Sequence, residues 1–397
     1  MRFRALDGFR GLCALLVALY HFPVRNHFLG PQFFLPNAQM LMDFFFVLSG
    51  FLIAGAYGEK LRTWRDVGGF VRARFARLWP LHAAMLAMLV AIEMAKAGFA
   101  PHIGLQPPFT GARPLLGVAT NLLLLHSLHI HDVLTWNAPS WTVSVEFYTY
   151  LLFAALTVAL PKRPVLSALL MAGVGAVGVI LIARKLDATY DFGLFRCFFG
   201  FFCGALVWRV WKAAPRLLEN RRALATGLEL FATIGVFAYI AFLGGAPFGY
   251  AGPLVFSAFI WIYACEQGAV TRGIAFPPLV RLGEISYSIY LVHFPIIIVL
   301  TLSLRLFEHL SGVNFTTLGF AGIDQMSFVY GPSKWVMDGV MLAYLALVIA
   351  VATQTFKYIE EPGRKLFSPA RKSRPRAVTA PIVAANVPVE GPAAQAA

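Results

Sequence analysis

Asp7, Arg10 and His21 lie in the run RALDGFRGLCALLVALYHF, residues 4–22, where ionisable side chains interrupt an otherwise apolar stretch. An α-helix turns about 100° and rises about 1.5 Å per residue, so Arg10 and His21 fall within roughly 20° of one another, about 16 Å apart along the axis. A guanidinium binds anions and a neutral imidazole moves protons, so one helix face can do both at different levels. The plainer reading makes Arg10 a marker of the membrane edge and His21 a hydrogen-bonded packing residue. Ionisable groups inside a membrane are costly enough that function is the first hypothesis.

Three further runs carry polar groups that lipid alone would reject. MDFFFVLSGFLI, residues 42–53, holds Asp43 and Ser49. WNAPSWTVSVEFY, residues 136–148, brings Trp136 and Trp141 as expected interface anchors and Glu146 about two turns further in. GEISYSIYLVHFP, residues 283–295, carries Glu284, Tyr290 and His293. Asp43 has a simple alternative, solvation at the interface, and His293 another, a kink residue beside Pro295. Glu146 is harder to dismiss, because a lone carboxylate at that depth needs water or a cationic partner. A fourth run, GGFVRARFARLWP, sets Arg72 and Arg74 two apart and Arg77 three further. Such arginines orient a membrane protein, and the RxR pair Arg72 and Arg74 also suits a phosphate ligand, since guanidinium groups bond phosphate oxygens in pairs.

The elements that must position these residues are membrane helices. The chain has 397 residues, 59% hydrophobic and only 13% charged, with a mean hydropathy of +0.70. A soluble domain carries about twice that share of charge. The net charge of +14 is dispersed in short blocks between apolar runs, so it points to membrane orientation and anionic lipid and not to nucleic acid. Cys13, Cys197, Cys203 and Cys265 lie in apolar segments without a CxxC pair, so no disulfide framework and no metal site is expected.

Apolar stretches long enough to cross a bilayer run near 11–29, 38–57, 79–98, 138–160, 165–183, 192–211, 223–243, 248–269, 284–307 and 335–357. The expectation is an all-α, polytopic transmembrane bundle of about ten spans, the first uncleaved. The basic blocks at 60–77, 209–222 and 357–376 should be cytoplasmic, which requires an even number of crossings between the first two. Segment 113–131 is therefore expected as a re-entrant or interfacial piece, and both termini as cytoplasmic. One transmembrane domain over 1–367 precedes a disordered cytoplasmic tail, 368–397, rich in Ala, Pro and Val.

In this order, RALDGFRG with its following histidine, DFFFVLSGFLI, RARFARLWP, PSWTVSVEFY, GEISYSIYLVHFPI and YIEEPGRK resemble acyltransferase family 3, from residue 4 to about 365. The resemblance implies a plasma (inner) membrane enzyme. It would transfer an acyl group, read as acetyl, from cytoplasmic acyl-CoA to a hydroxyl of a cell-surface carbohydrate or its lipid-linked precursor. Acyl-CoA is then a co-substrate and no tightly bound cofactor is implied. Matched by motif, Arg10 and His21 are the essential first-span pair, Arg72 and Arg74 the donor pair, and Glu146 the glutamate of the WSxxxE pattern. Thr142 departs from that pattern, as do Phe147 and Tyr148. Some members carry an extracytoplasmic esterase-like domain; the short tail is expected to hold none.

Acyl transfer to an alcohol needs a base for the hydroxyl proton, a task suited to His21. Glu146 would orient it, as the carboxylate does in a hydrolytic triad, with Asp43 as a further acid. In the alternative chemistry His21 is itself transiently acylated. Asp7, Ser49, Trp141, Glu284, Tyr290 and His293 are candidates for acceptor binding or support. A continuous channel from the cytoplasmic face to His21 is expected. The competing class is a transporter of a small or acylated solute, which would use Arg10, Asp43 and Glu146 as a path but leaves the RxR pair unexplained.

Overall fold

Within a bilayer a backbone must satisfy its own hydrogen bonds, which is why the long apolar runs are helical. The structure, a computed structural model, describes residues 2–24, 26–27, 35–98, 106–215, 217–245, 247–314, 316–321, 324–329 and 333–367. The expected tail, 368–397, lies outside the described residues. Among them, eight helical segments are long and apolar enough to cross a membrane. These are built on α2 (Leu41–Tyr57), α3 (Trp64–Lys96), α5 (Trp141–Ala159), α6 (Pro164–Val177), α7 (Gly193–Ala213), α8 (Arg222–Ala238), α12 (Ser286–Ser311) and α13 (Lys334–Thr355). Two of the ten expected spans fall outside that class. The helix α1 (Arg4–His21) has too many charges, and Phe248–Ala264, which contains α9 (Gly252–Ala264), is short.

The first helix lies about seven residues earlier than expected, at Arg4–His21 instead of 11–29. Pro23 disfavours helical backbone at Phe22, which is extended. His21 is therefore the last residue of α1 and not its middle. Similarly, the span expected from 284 is broken at Ile285, between α11 (Pro277–Glu284) and α12. A short α10 (Ala269–Ile274) precedes α11, and α14 (Glu361–Phe367) follows α13 through a π-helical turn, Phe356–Glu360. Between α12 and α13, β1 (Thr316–Ala321) pairs antiparallel with β2 (Asp324–Val329), a two-stranded ribbon that was not anticipated.

Segment 113–131 holds only α4 (Leu115–Leu122), about 12 Å of helix against a hydrocarbon core of about 30 Å. It does not cross. It dips beside the middle of α3, where Trp79 Nε1 donates to the Leu122 carbonyl at 2.9 Å and His82 Nε2 bonds the Asn121 carbonyl at 3.0 Å. Ser144 and Tyr148 of α5 donate to the carbonyls of Leu124 and Leu123. Side chains thus satisfy the carbonyls at the end of α4 and just after it from two neighbouring helices, as backbone set among membrane helices requires.

Small residues allow the closest helix contacts. A methyl group at Gly50 of α2 would land on the Phe201 carbonyl of α7, and one at Gly204 of α7 on the Val47 carbonyl of α2. At Gly283 of α11 it would strike the Asp7 carbonyl of α1. Around these contacts Phe44, Phe46, Phe51, Phe201, Phe202 and Phe256 fill the core. By contrast, Phe231 and Ile234 of α8 are 75% and 66% exposed, on a surface suited to lipid.

Candidate active site

The helix α3 starts at a capping box: Thr63 Oγ1 accepts from the Asp66 N–H, and Asp66 Oδ2 accepts from the Thr63 N–H. Its first turns carry the basic block, and helix geometry then sorts the arginines. Arg72 and Arg74 are about 200° apart, whereas Arg74 and Arg77, three residues apart, share a face. Arg72 is exposed. Arg74 and Arg77 turn into a cavity of about 200 Å³, which Arg10 of α1 also lines. Ser49, Glu146, Tyr150, Tyr287 and Tyr290 contribute to its wall.

Each of the three guanidiniums is held differently. Arg10 donates twice to the Gly283 carbonyl, at 3.0 and 2.5 Å, and stands 3.3 Å from Asp7. Arg77 pairs with the buried Glu360 and lies 5.2 Å from the Tyr287 ring centroid. Glu360 also accepts from Ser288 at 2.7 Å, so this pair joins α3, α12 and the π-helical turn before α14. Arg74 is the least committed. It donates to Tyr57 Oη at 3.1 Å and sits over the Tyr57 and Phe70 rings, while its buried Nε has no partner among the described residues.

Glu146 brings a carboxylate to the same cavity. Tyr150 donates to it at 2.6 Å, and Ser49 Oγ lies 2.8 Å from the Tyr150 oxygen. Since the one Tyr150 hydrogen goes to Glu146, Ser49 donates in turn. Glu146 has no bond to His21 in the structure; the expected carboxylate behind the base is absent from that place among the described residues.

The partner of His21 is His293. His21 Nδ1 lies 3.0 Å from the Val17 carbonyl and 3.3 Å from His293 Nε2. Neither histidine lines the cavity. Tyr290 stands between: it lines the cavity and its ring centroid is 5.8 Å from that of His293. Its hydroxyl donates to the Pro139 carbonyl and accepts from Thr142 at 3.0 Å. The cavity does not reach His21, so the expected continuous channel is not present in it.

Asp43, Trp141, Asp7 and Glu284 do not line the cavity. Asp43 is 4% exposed and forms a two-pronged pair with Arg196, at 2.7 and 3.1 Å, so it is not solvated at an interface. Arg196 also donates to the Gln39 carbonyl and lies 5.9 Å from the Trp141 ring. Trp136 and Trp141 are 2% and 6% exposed, which makes them packing residues and not interface anchors. Asp7 and Glu284 belong to a surface network with Arg2 and Arg281 that ties α1 to α11. Hydrogen bonds from Arg281 and then Arg2 hold the Glu284 carboxyl below its ordinary range despite partial burial.

The residues missed from sequence are Arg77, Tyr150, Arg196 and Glu360. Arg77 was detectable, because it shares the helical face of Arg74; Arg196, a lone cation in FRCFFG, was a weaker signal.

The acyltransferase domain family matches residues 3–353. Among curated proteins, the chain is 24% identical over 390 residues to peptidoglycan O-acetyltransferase OatA of Listeria monocytogenes, covering 91% of this chain and 56% of that protein. It is 27% identical over 328 residues to acyltransferase MdmB of Streptomyces mycarofaciens, covering 75% and 79%. It is 32% identical over 164 residues to protein 2 in the picA locus of Rhizobium radiobacter, covering 38% and 81%. The chain spans little more than half the length of the first of these O-acetyltransferases. No solved structure matches it. The chain belongs to the acyltransferase domain family and is a membrane acyltransferase.

Proposed function

We propose that this acyltransferase draws an acyl group, read as acetyl, from acyl-CoA at the cytoplasmic face of the inner membrane. It delivers the group to a hydroxyl of a cell-surface carbohydrate or lipid-linked precursor. The observation that supports this reading is the convergence of Arg10, Arg74 and Arg77 on one cavity that holds a single carboxylate, Glu146. Guanidinium groups turned into a partly desolvated cavity form charge-assisted, two-pronged bonds with phosphate oxygens, and the Arg74 Nε has a bond to give. Peptidoglycan as the target of one relative's named activity favours an envelope glycan as acceptor.

In this reading residues 1–367 act as one membrane domain with both termini cytoplasmic. Arg74 and Arg77 hold the coenzyme A phosphates, and Arg10 carries the positive field along the cavity wall. Glu146 serves the donor side: held by Tyr150 and, through it, Ser49, it places one negative charge among the three cations. The pantetheine arm runs toward Tyr290, whose side chain must swing aside to let the thioester meet His21. His21 Nε2 takes the proton of the acceptor hydroxyl as the C–O bond forms. The C–S bond breaks, and the departing thiolate recovers the proton as free thiol.

The test is transfer of label from [14C]acetyl-CoA to the glycan fraction of membranes from cells with and without the gene. Incorporation that requires the gene, with a mass increase of one acetyl group on the glycan, is expected. Equal incorporation in both would overturn the proposal, as would movement of a solute without coenzyme A binding.

A further inference from the structure

The imidazoles of His21 and His293 are bonded to one another, Nδ1 of the first 3.3 Å from Nε2 of the second. Each Nδ1 also faces a carbonyl one turn back on its own helix, Val17 at 3.0 Å and Ile289 at 3.3 Å. A carbonyl oxygen only accepts, so both Nδ1 atoms carry the hydrogen. His293 Nε2 is then a lone pair that shares the His21 Nδ1 hydrogen with Val17, and His21 Nε2 is left bare. Among the described residues no carboxylate is bonded to either ring.

The pair is also fixed in place. His293 is fully buried. Tyr344 of α13 directs its hydroxyl at the carbonyls of Ala18 and His293, at 3.3 and 3.4 Å, and its ring stacks on Phe22 at 4.0 Å. Three helices therefore lock the two rings at one level. In a hydrolytic triad a carboxylate stands behind the histidine, fixing its tautomer and stabilising its cation. Here an imidazole occupies that position.

We propose that His293 is the positioning residue of His21: it fixes the tautomer with a basic Nε2 and shares the proton that His21 acquires. This rests on the reading of His21 as the base. As the acceptor hydroxyl gives its proton to His21 Nε2, the Nδ1 proton of His21 passes to His293 Nε2, so two rings share one positive charge. The acyl C–O bond forms while the thioester C–S bond breaks. Both protons then move back, the thiolate leaves as thiol, and the two histidines return to neutral.

Two measurements test this on the full chain in membranes. The first follows [14C]acetyl-CoA incorporation per inserted protein for His21→Ala, His293→Phe and His293→Gln. His21→Ala is expected to abolish transfer. His293→Phe, which has no acceptor, should lower kcat by roughly 100-fold with an unchanged KM for acetyl-CoA, in the upper range for a residue behind a reacting ligand. His293→Gln, whose Oε1 accepts the Nδ1 hydrogen but cannot take a proton, should recover part of that loss. A His293→Phe enzyme with wild-type kcat, or one whose KM shifts in place of kcat, overturns the inference while leaving His21 as base. Transfer by His21→Ala overturns the base reading itself. The second measurement does not depend on activity: ring 15N spectra of histidine-labelled protein in lipid, assigned by the signals lost in His21→Ala and His293→Gln. Hydrogen on Nδ1 of both rings is expected, and hydrogen on Nε2 of either overturns the inference.

Discussion

The cavity lined by arginines and the histidine pair lie on opposite sides of one tyrosine, and they are built on opposite principles. The cavity concentrates charge: Arg10, Arg74 and Arg77 meet Glu146, and the buried Arg74 Nε has no partner among the described residues. The histidine pair excludes charge, with backbone carbonyls and a second imidazole as its polar partners. A site that binds an anion needs unsatisfied donors, whereas a site that moves a proton needs a fixed tautomer and a bare nitrogen. Keeping them apart lets each be tuned without spoiling the other.

Variants can break that division, and the largest effect should come from the histidine side. His21→Ala should abolish transfer while leaving coenzyme A binding in the same membranes unchanged; a matching loss of binding would merge the two regions into one. Next in size is Asp43→Ala, which belongs to neither region and strands Arg196. Removing one partner of a buried pair costs about 3–5 kcal/mol, so thermal stability in detergent should fall steeply. Retained stability with lost activity would return Asp43 to the chemistry.

Arg74→Ala should weaken coenzyme A binding by about 1.5–3 kcal/mol, roughly ten- to a hundredfold, as expected for a lost charge-assisted bond. Calorimetric titration of the purified protein would show it, with transfer at saturating donor little changed. Tyr150→Phe removes the bond to Glu146 and should cost about 0.5–1.5 kcal/mol of stability in denaturation. The smallest effect is expected at Arg72, which is exposed and turned away from the cavity. Arg72→Ala should bind coenzyme A nearly as the native protein does; a loss equal to that of Arg74→Ala would mean that the cavity is not where the donor sits.

The contrast between Arg72 and Arg74 also marks what could be read from the sequence. The residue types were legible because a buried ion in an apolar run is conspicuous, and so was the helical class, which followed from the length of the apolar runs. Pairings across the bundle were not legible. Nothing local in DFFFVLSG indicates Arg196, 153 residues away, and nothing near His21 indicates His293, 272 residues away. Even within one helix the RxR spacing does not say that its two arginines face opposite directions, one exposed and one lining the cavity. Trp136 and Trp141 misled: tryptophan suits a membrane surface, but here neighbouring chain covers both rings.

The glycine contacts between α2 and α7 determine which part of this machine is able to move. With Gly50 and Gly204 set against opposing carbonyls, α2 is seated backbone to backbone on α7. It supplies Met42, Phe45, Phe46, Ser49 and Ile53 to the cavity wall. That wall is an anvil. Tyr290 of α12 is also packed, against Phe45 and His293, and its hydroxyl is tied to Pro139 and Thr142, so the movement the proposed transfer requires falls to one side chain against a fixed wall.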